Sequence, residues 1–310
     1  MHRLLLASAA VLGITLASEA RAGCAVTPLA SLPIADTAHF LTLSGAIDGQ
    51  AVSLLMDTGA DTALITPEAA GRLNLAADPA RVTQIIGTGG PAGISPHVLI
   101  GRLALGALAV EHLSAPLGAL PAVPRVLPPV AGLLGADLLS RFDLDLDLPG
   151  RRMTLYAVAE AGSGGVPCAT AVLPPWTGPF DTVALRRLGD RLIAPVRIDG
   201  EPASALIDTG ARSILVSTQA ASRLGVGPDQ LATDAGGITG GVDLRDVSFH
   251  WHRFATLQIG TETIRNPVLT VSAFSEQADM LLGAPFFATR RVWLSYATGR
   301  MFIQRAAAAR

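Results

Sequence analysis

The chain repeats itself. Residues 39–73 align without a gap onto residues 190–224 at an offset of 151 positions, and self-similarity at a fixed offset constrains a fold more than any local pattern does. Ile47-Asp48-Gly49 falls on Ile198-Asp199-Gly200. Ser53-Leu54-Leu55-Met56-Asp57-Thr58-Gly59-Ala60 falls on Ser204-Ala205-Leu206-Ile207-Asp208-Thr209-Gly210-Ala211, and Leu64-Ile65 on Leu215-Val216. Towards the end of each copy, Leu133-Leu134-Gly135-Ala136 matches Leu281-Leu282-Gly283-Ala284, and Gly150-Arg151-Arg152-Met153 resembles Gly299-Arg300-Met301. The chain is thus two copies of one unit of about 130 residues, an ordinary domain size. The expected boundaries are a first lobe over 23–156, a Gly/Pro-rich linker over 157–180 and a second lobe over 181–310.

Each copy reads as short strands joined by tight turns. Leu41 to Ile47 and Val52 to Met56 are apolar strands around an Asp48-Gly49 hairpin turn. Ala63-Leu64-Ile65 is a third strand, and Pro67 to Leu73 a helical turn with Thr66 as N-cap and Pro67 at the first helical position. Glycine-rich hairpins are expected at Gly87-Thr88-Gly89-Gly90 and at Gly236-Gly237-Ile238-Thr239-Gly240-Gly241. Strands closing on glycine follow at Leu103-Ala104-Leu105-Gly106 and Leu257-Gln258-Ile259-Gly260. With 32 glycines and 21 prolines in 310 residues, turns are frequent and an all-helical bundle is excluded.

An aspartate directly after three apolar residues has no cheap place inside a strand, so it must stand where the strand meets a polar site. Asp-Thr-Gly supplies a carboxylate, a hydroxyl that can bond backbone, and a glycine that admits close approach of another group. By average composition one such tripeptide arises by chance about once in twenty chains of this size; twice in matched contexts is not chance.

At these residues the sequence resembles the clan of aspartic peptidases, specifically its retropepsin-like bacterial branch. Asp-Thr-Gly-Ala, a short strand and an Ala-rich helical turn ending in Leu carry the resemblance, with the apolar-apolar-Gly segments Leu133-Leu134-Gly135 and Leu281-Leu282-Gly283. The resemblance implies an all-β, two-lobed acid-protease fold with pseudo-two-fold symmetry and an active site between the lobes. It implies Asp57 and Asp208 as a catalytic dyad that activates water to hydrolyse a peptide or protein substrate without a metal or other cofactor. Thr58 and Thr209 would bond across the lobes, and Gly59 and Gly210 would offer backbone N–H groups to the carboxylates. The hairpins with Gly87, Gly89, Gly237 and Gly240 would cover the substrate as flaps, although neither carries the tyrosine of pepsin flaps. Duplication lets one chain hold both halves as a monomeric pseudo-dimer; a homodimer pairing repeats between chains is the other arrangement. A non-catalytic peptide-binding protein that kept the fold is the alternative function, and two intact Asp-Thr-Gly motifs argue against it.

The remaining features set the context. Residues 1–22, with His2 and Arg3, an apolar run from Leu4 to Leu16 and Ala20-Arg21-Ala22, read as a signal peptide for export to the periplasm or beyond the cell. Ala22-Gly23-Cys24 resembles a lipoprotein signal, but Arg21 stands where an aliphatic residue belongs, so anchoring at Cys24 is not expected. No charge-free apolar stretch of spanning length follows residue 22. Export permits a disulfide between Cys24 and Cys168, the two cysteines, which precede the two repeats. The net charge of −2 gives no footprint for nucleic acid, and all 23 basic residues are arginine, which excludes Schiff-base and P-loop lysine chemistry.

His250 and His252 share one strand face, a metal-capable spacing without a third ligand, and are expected on an exposed face. Asp143, Asp145 and Asp147 alternate with leucines as a half-buried strand with a solvated face. Asp61 and Arg212 occupy equivalent positions after the two motifs with opposite charges, either as unrelated surface charges, as asymmetric support of the two loops, or as different substrate contacts on the two sides.

Overall fold

The computed structural model describes residues 25–87, 90–159, 176–240 and 246–304, and nearly all of its regular structure is strand. The leader, both cysteines, Gly89 and residues 160–175 of the expected linker lie outside the described residues.

The two copies fold alike because their local signals are alike. Strands Phe40–Ile47 and Gln50–Met56 form one antiparallel hairpin, and Arg191–Ile198 with Glu201–Ile207 form its counterpart. Their turns carry positive φ at both central residues, 49° and 82° at Asp48-Gly49 and 51° and 84° at Asp199-Gly200, the geometry that matches strand twist. The turn aspartates also reach outward. Asp48 Oδ1 accepts the Arg102 N–H and Asp199 Oδ1 the Thr256 N–H, each at 2.7 Å, which fixes the next hairpin against the first. Helix Pro67–Leu73 is capped by Thr66, whose Oγ1 accepts the Ala69 N–H at 3.2 Å; Ser217 does the same for Ala220 at 3.0 Å.

Behind each Asp-Thr-Gly motif the apolar-apolar-Gly segment is threaded between two strands of its own lobe. Val130–Leu134 runs parallel to Gln50–Met56 and antiparallel to Leu64–Ile65. Met280–Leu282 relates in the same way to Glu201–Ile207 and Leu215–Ser217. Glycine follows each because nothing larger fits: a Cβ on Gly135 would lie 2.3 Å from the Thr62 carbonyl carbon, and one on Gly283 2.0 Å from the Ser213 oxygen. Ile47, Val52, Met56, Ile198, Ala205 and Ile207 are all fully buried around these strands, and each large apolar side chain so buried contributes ~1.5–3 kcal/mol.

The lobes share one antiparallel sheet. Its order is Phe180–Ala184, Arg300–Gln304, Arg291–Ser295, Asp143–Asp147, Arg152–Ala159 and Ala25–Thr37, so the halves meet where Arg291–Ser295 pairs with Asp143–Asp147. This placement corrects the reading of Asp143, Asp145 and Asp147. Their strand has no solvated face: Asp143 and Asp145 are each 2% exposed, because the strand is central rather than at an edge. Partners from the second half satisfy them. Trp293 Nε1 donates to Asp143 at 3.0 Å, and Arg291 grips Asp145 with Nε and Nη2 at 2.9 and 2.6 Å. Ordered packing also enters the expected linker at both ends, with strand Arg152–Ala159 reaching past 156 and Trp176 set edge-on to Trp293.

One further expectation changes. His252 is buried, not exposed, and its Nδ1 lies 2.7 Å from Asp234 Oδ2; Trp251 takes the exposed position between the two histidines. No group of three or more metal-ligating side chains occurs among the described residues. The second glycine-rich stretch begins as a strand, Gly236–Thr239, paired antiparallel with Val247–Arg253 as a hairpin requires. Its glycines permit close contact, since a Cβ on Gly236 would stand 2.1 Å from the Phe249 carbonyl oxygen.

Candidate active site

Asp57 directly follows the strand Gln50–Met56 and Asp208 directly follows Glu201–Ile207, and the fold of the shared sheet brings these two strand ends together within one chain. Each loop is held from behind by its apolar-apolar-Gly segment. Asp57 N–H donates to the Leu134 carbonyl at 3.0 Å and Asp208 N–H to Leu282 at 3.2 Å. Ala136 and Ala284 return bonds of 2.8 Å to the carbonyls of Ala60 and Ala211.

Across the lobes the loops are stitched by their threonines. Thr58 N–H donates to Thr209 Oγ1 and Thr209 N–H to Thr58 Oγ1, both at 3.1 Å, while the two hydroxyls donate to the carbonyls of Ile207 and Met56 at 2.8 and 3.0 Å. The glycines allow the final approach. A Cβ on Gly59 would lie 2.3 Å from Asp208 Cγ, and one on Gly210 equally 2.3 Å from Asp57 Cγ.

Each carboxylate is cradled by its own loop. Asp57 Oδ1 accepts the N–H groups of Gly59 and Ala60 at 3.0 and 2.9 Å; Asp208 Oδ1 accepts those of Gly210 and Ala211, both at 3.0 Å. The two carboxyls are also within hydrogen-bond reach of each other. Burial pushes both above the ordinary aspartate range. Asp208 is raised further because it also faces the charge of Asp57. Such a pair holds one proton between two acids more readily than it holds two charges.

The aspartyl protease family profile matches residues 43–138 and 194–286, one stretch in each half and more than half of the chain together. The chain belongs to the retropepsin-like aspartyl protease family. No curated protein sequence matches it.

The two flap candidates lie on paired antiparallel strands. Gly87 closes strand Ala77–Gly87 and pairs with Gly90, the start of Gly90–Leu105. In the second half, Gly237 lies within its strand and Gly240 just beyond it. The hairpin of the first half is anchored by a polar chain: Thr83 Oγ1 meets His97 Nε2 at 2.6 Å, His97 Nδ1 meets Ser114 Oγ at 2.9 Å, and Ser114 donates to Asp78 at 2.7 Å.

Asp61 and Arg212 are bound differently. Asp61 Oδ1 lies 2.8 Å from Arg191 Nε, a charge contact across the lobes, whereas Arg212 lies over the Phe40 ring at 4.4 Å and donates from Nε to the Ala38 carbonyl at 3.2 Å. Arg191, Glu276 and Phe40 were not singled out from the sequence. The one available signal was the repeat itself, which sets Arg191 opposite Phe40 at the same offset that sets Arg212 opposite Asp61.

Proposed function

We propose that this protein is an exported aspartic endopeptidase in which Asp57 and Asp208 hydrolyse peptide bonds. The observation that carries the reading is the meeting of two Asp-Thr-Gly loops in one chain, with their carboxyls in mutual reach and their threonines interlocked.

The chemistry follows from the shared proton. A water between the carboxyls gives a proton to the ionised aspartate as its oxygen attacks the peptide carbonyl carbon, and the protonated aspartate donates to the carbonyl oxygen. The resulting diol collapses by breaking the C–N bond, with a proton passing to the leaving nitrogen. Backbone N–H groups of Gly59, Ala60, Gly210 and Ala211 hold the carboxylates still, so little reorganisation is needed during reaction. The hairpins that carry Gly87 in the first half and Gly237 in the second close over the extended substrate, and residues 1–22 direct export.

Incubating the purified protein with a peptide library over pH 3–7, with and without pepstatin, tests this. Pepstatin-sensitive cleavage that Asp57→Asn abolishes supports the reading; no cleavage by folded protein at any pH overturns it.

A further inference from the structure

Positions 40 and 191 are counterparts in the repeat, and so are 61 and 212. The structure joins them crosswise, each loop residue of one lobe with the first hairpin strand, or its edge, in the other. The geometry is two-fold; the chemistry is not. On one side Arg191, buried with only 10% of its side chain exposed, sits between Asp61 and Glu276, with Nη1 2.9 Å from Glu276 Oε2. On the other side Phe40 takes the arginine's place and Arg212 lies exposed above it.

Arg191 also reaches the aspartate loop itself. Its Nη1 donates to the Gly59 carbonyl at 3.2 Å. That carbonyl belongs to the same peptide unit as the Ala60 N–H, which donates to Asp57 Oδ1 at 2.9 Å. A cation on the oxygen of a peptide polarises its N–H, so the chain from guanidinium through peptide to carboxylate strengthens along its length. Asp208 receives the equivalent Ala211 N–H at 3.0 Å, but Phe40 has no donor to place on the Gly210 carbonyl.

We propose that Arg191 is a positioning residue that assigns the two halves of the acid–base pair: Asp57 stays ionised and acts on water, while Asp208 carries the proton. This inference rests on the peptidase reading above for its catalytic meaning. The charged groups facing Asp57 are Asp208 and Arg191, and behind the arginine stand Asp61 and Glu276. The first removes charge from the site when protonated, and the last two are both engaged by the arginine. Burial raises both aspartates; against it Asp57 has the attraction of Arg191, whereas Asp208 has the repulsion of Asp57.

The test combines pH profiles of kcat/KM with carboxyl-carbon NMR titration, the two signals being assigned from Asp57→Asn and Asp208→Asn. In the wild type Asp57 is the carboxyl that ionises first as pH rises. In Arg191→Met the anion loses its cation, proton binding tightens, and the acidic limb moves up by roughly half to one pH unit; Arg191→Lys restores most of that shift. The double variant Phe40→Arg, Arg212→Asp builds the same clamp on the second half. It should bring the two titrations together and move the acidic limb down. A uniform fall in kcat with unmoved limbs and unmoved carboxyl signals in Arg191→Met reduces Arg191 to a strut and overturns the proposal. If Arg191→Met does not fold, unchanged titration in both the lysine and the double variants overturns it equally. If the carboxyl signals behave as expected but no peptide is cleaved, proton placement stands and the peptidase reading fails.

Discussion

Thr58 and Thr209 exchange main-chain and side-chain hydrogen bonds as a closed pair: each N–H enters the other's hydroxyl, and each hydroxyl passes on to the residue preceding the other's aspartate. Both are buried, at 1% and 0% exposure, so no water can take over a bond that is lost.

Replacing either threonine with alanine therefore leaves a buried N–H of the opposite loop and a buried carbonyl unpaired. At ~1–3 kcal/mol for each unsatisfied group, the expected loss for the two groups is about 2–6 kcal/mol. Serine retains the hydroxyl and should recover most of it. Denaturant melts of Thr58→Ala, Thr58→Ser and the matching Thr209 variants provide the measurement, and a loss below ~0.5 kcal/mol in the alanine variants counts against the interlock.

Asp57→Asn and Asp208→Asn should each abolish hydrolysis, by roughly 10⁴-fold, because the pair acts as a unit. Each should also stabilise the fold at pH 7. Both native carboxyls titrate above the ordinary value of 3.8, so the native state binds more protons than the unfolded chain in that window, and stability falls as pH rises through it. The gain from asparagine should thus be greatest at neutral pH and fade below the unfolded value, at about 2–4 °C in Tm per kcal/mol relieved. Thermal melts at pH 3.5 and pH 7 decide it; equal gains at both contradict the shift.

Gly59→Ala and Gly210→Ala should separate the loops. Each new methyl would have to occupy space 2.3 Å from the opposite Asp Cγ, so that carboxyl must turn away or the loops must part, and either takes it out of the pair. Activity should fall at least about 100-fold, since a displacement near 1 Å suffices for that, while circular dichroism stays that of a folded β protein. Near-normal kcat/KM in either variant refutes the close approach.

The central sheet makes its own demand. Asp145→Ala would strand Arg291, which now makes two bonds to that carboxylate beneath Trp176. Breaking one member of a largely buried pair costs about 3 kcal/mol. Adding Arg291→Met should return part of the loss. A double variant less stable than the sum of both single changes would show that the pair is not the source.

The duplicated local signals were legible without coordinates. The Asp-Gly turns, the Thr66 cap, the two Asp-Thr-Gly loops and their glycine-backed segments all depend on a few neighbouring residues, and the repeat printed each signal twice. Short-range sterics and hydrogen bonding act within such windows, so the sequence alone determined where those elements begin and end.

What the tertiary structure decided is the surroundings of the charges. Alternation made Asp143 and Asp145 look solvated, yet Trp293 and Arg291, about 150 residues later, cover them. His252 found Asp234, and Arg191 found Asp61, Glu276 and the Gly59 carbonyl. A side chain's identity fixes its charge, but whether that charge is desolvated, paired or set behind a carboxylate depends on which distant strand packs against it. That packing exists only once both halves close on the shared sheet, and it is also what makes two nearly identical loops unequal.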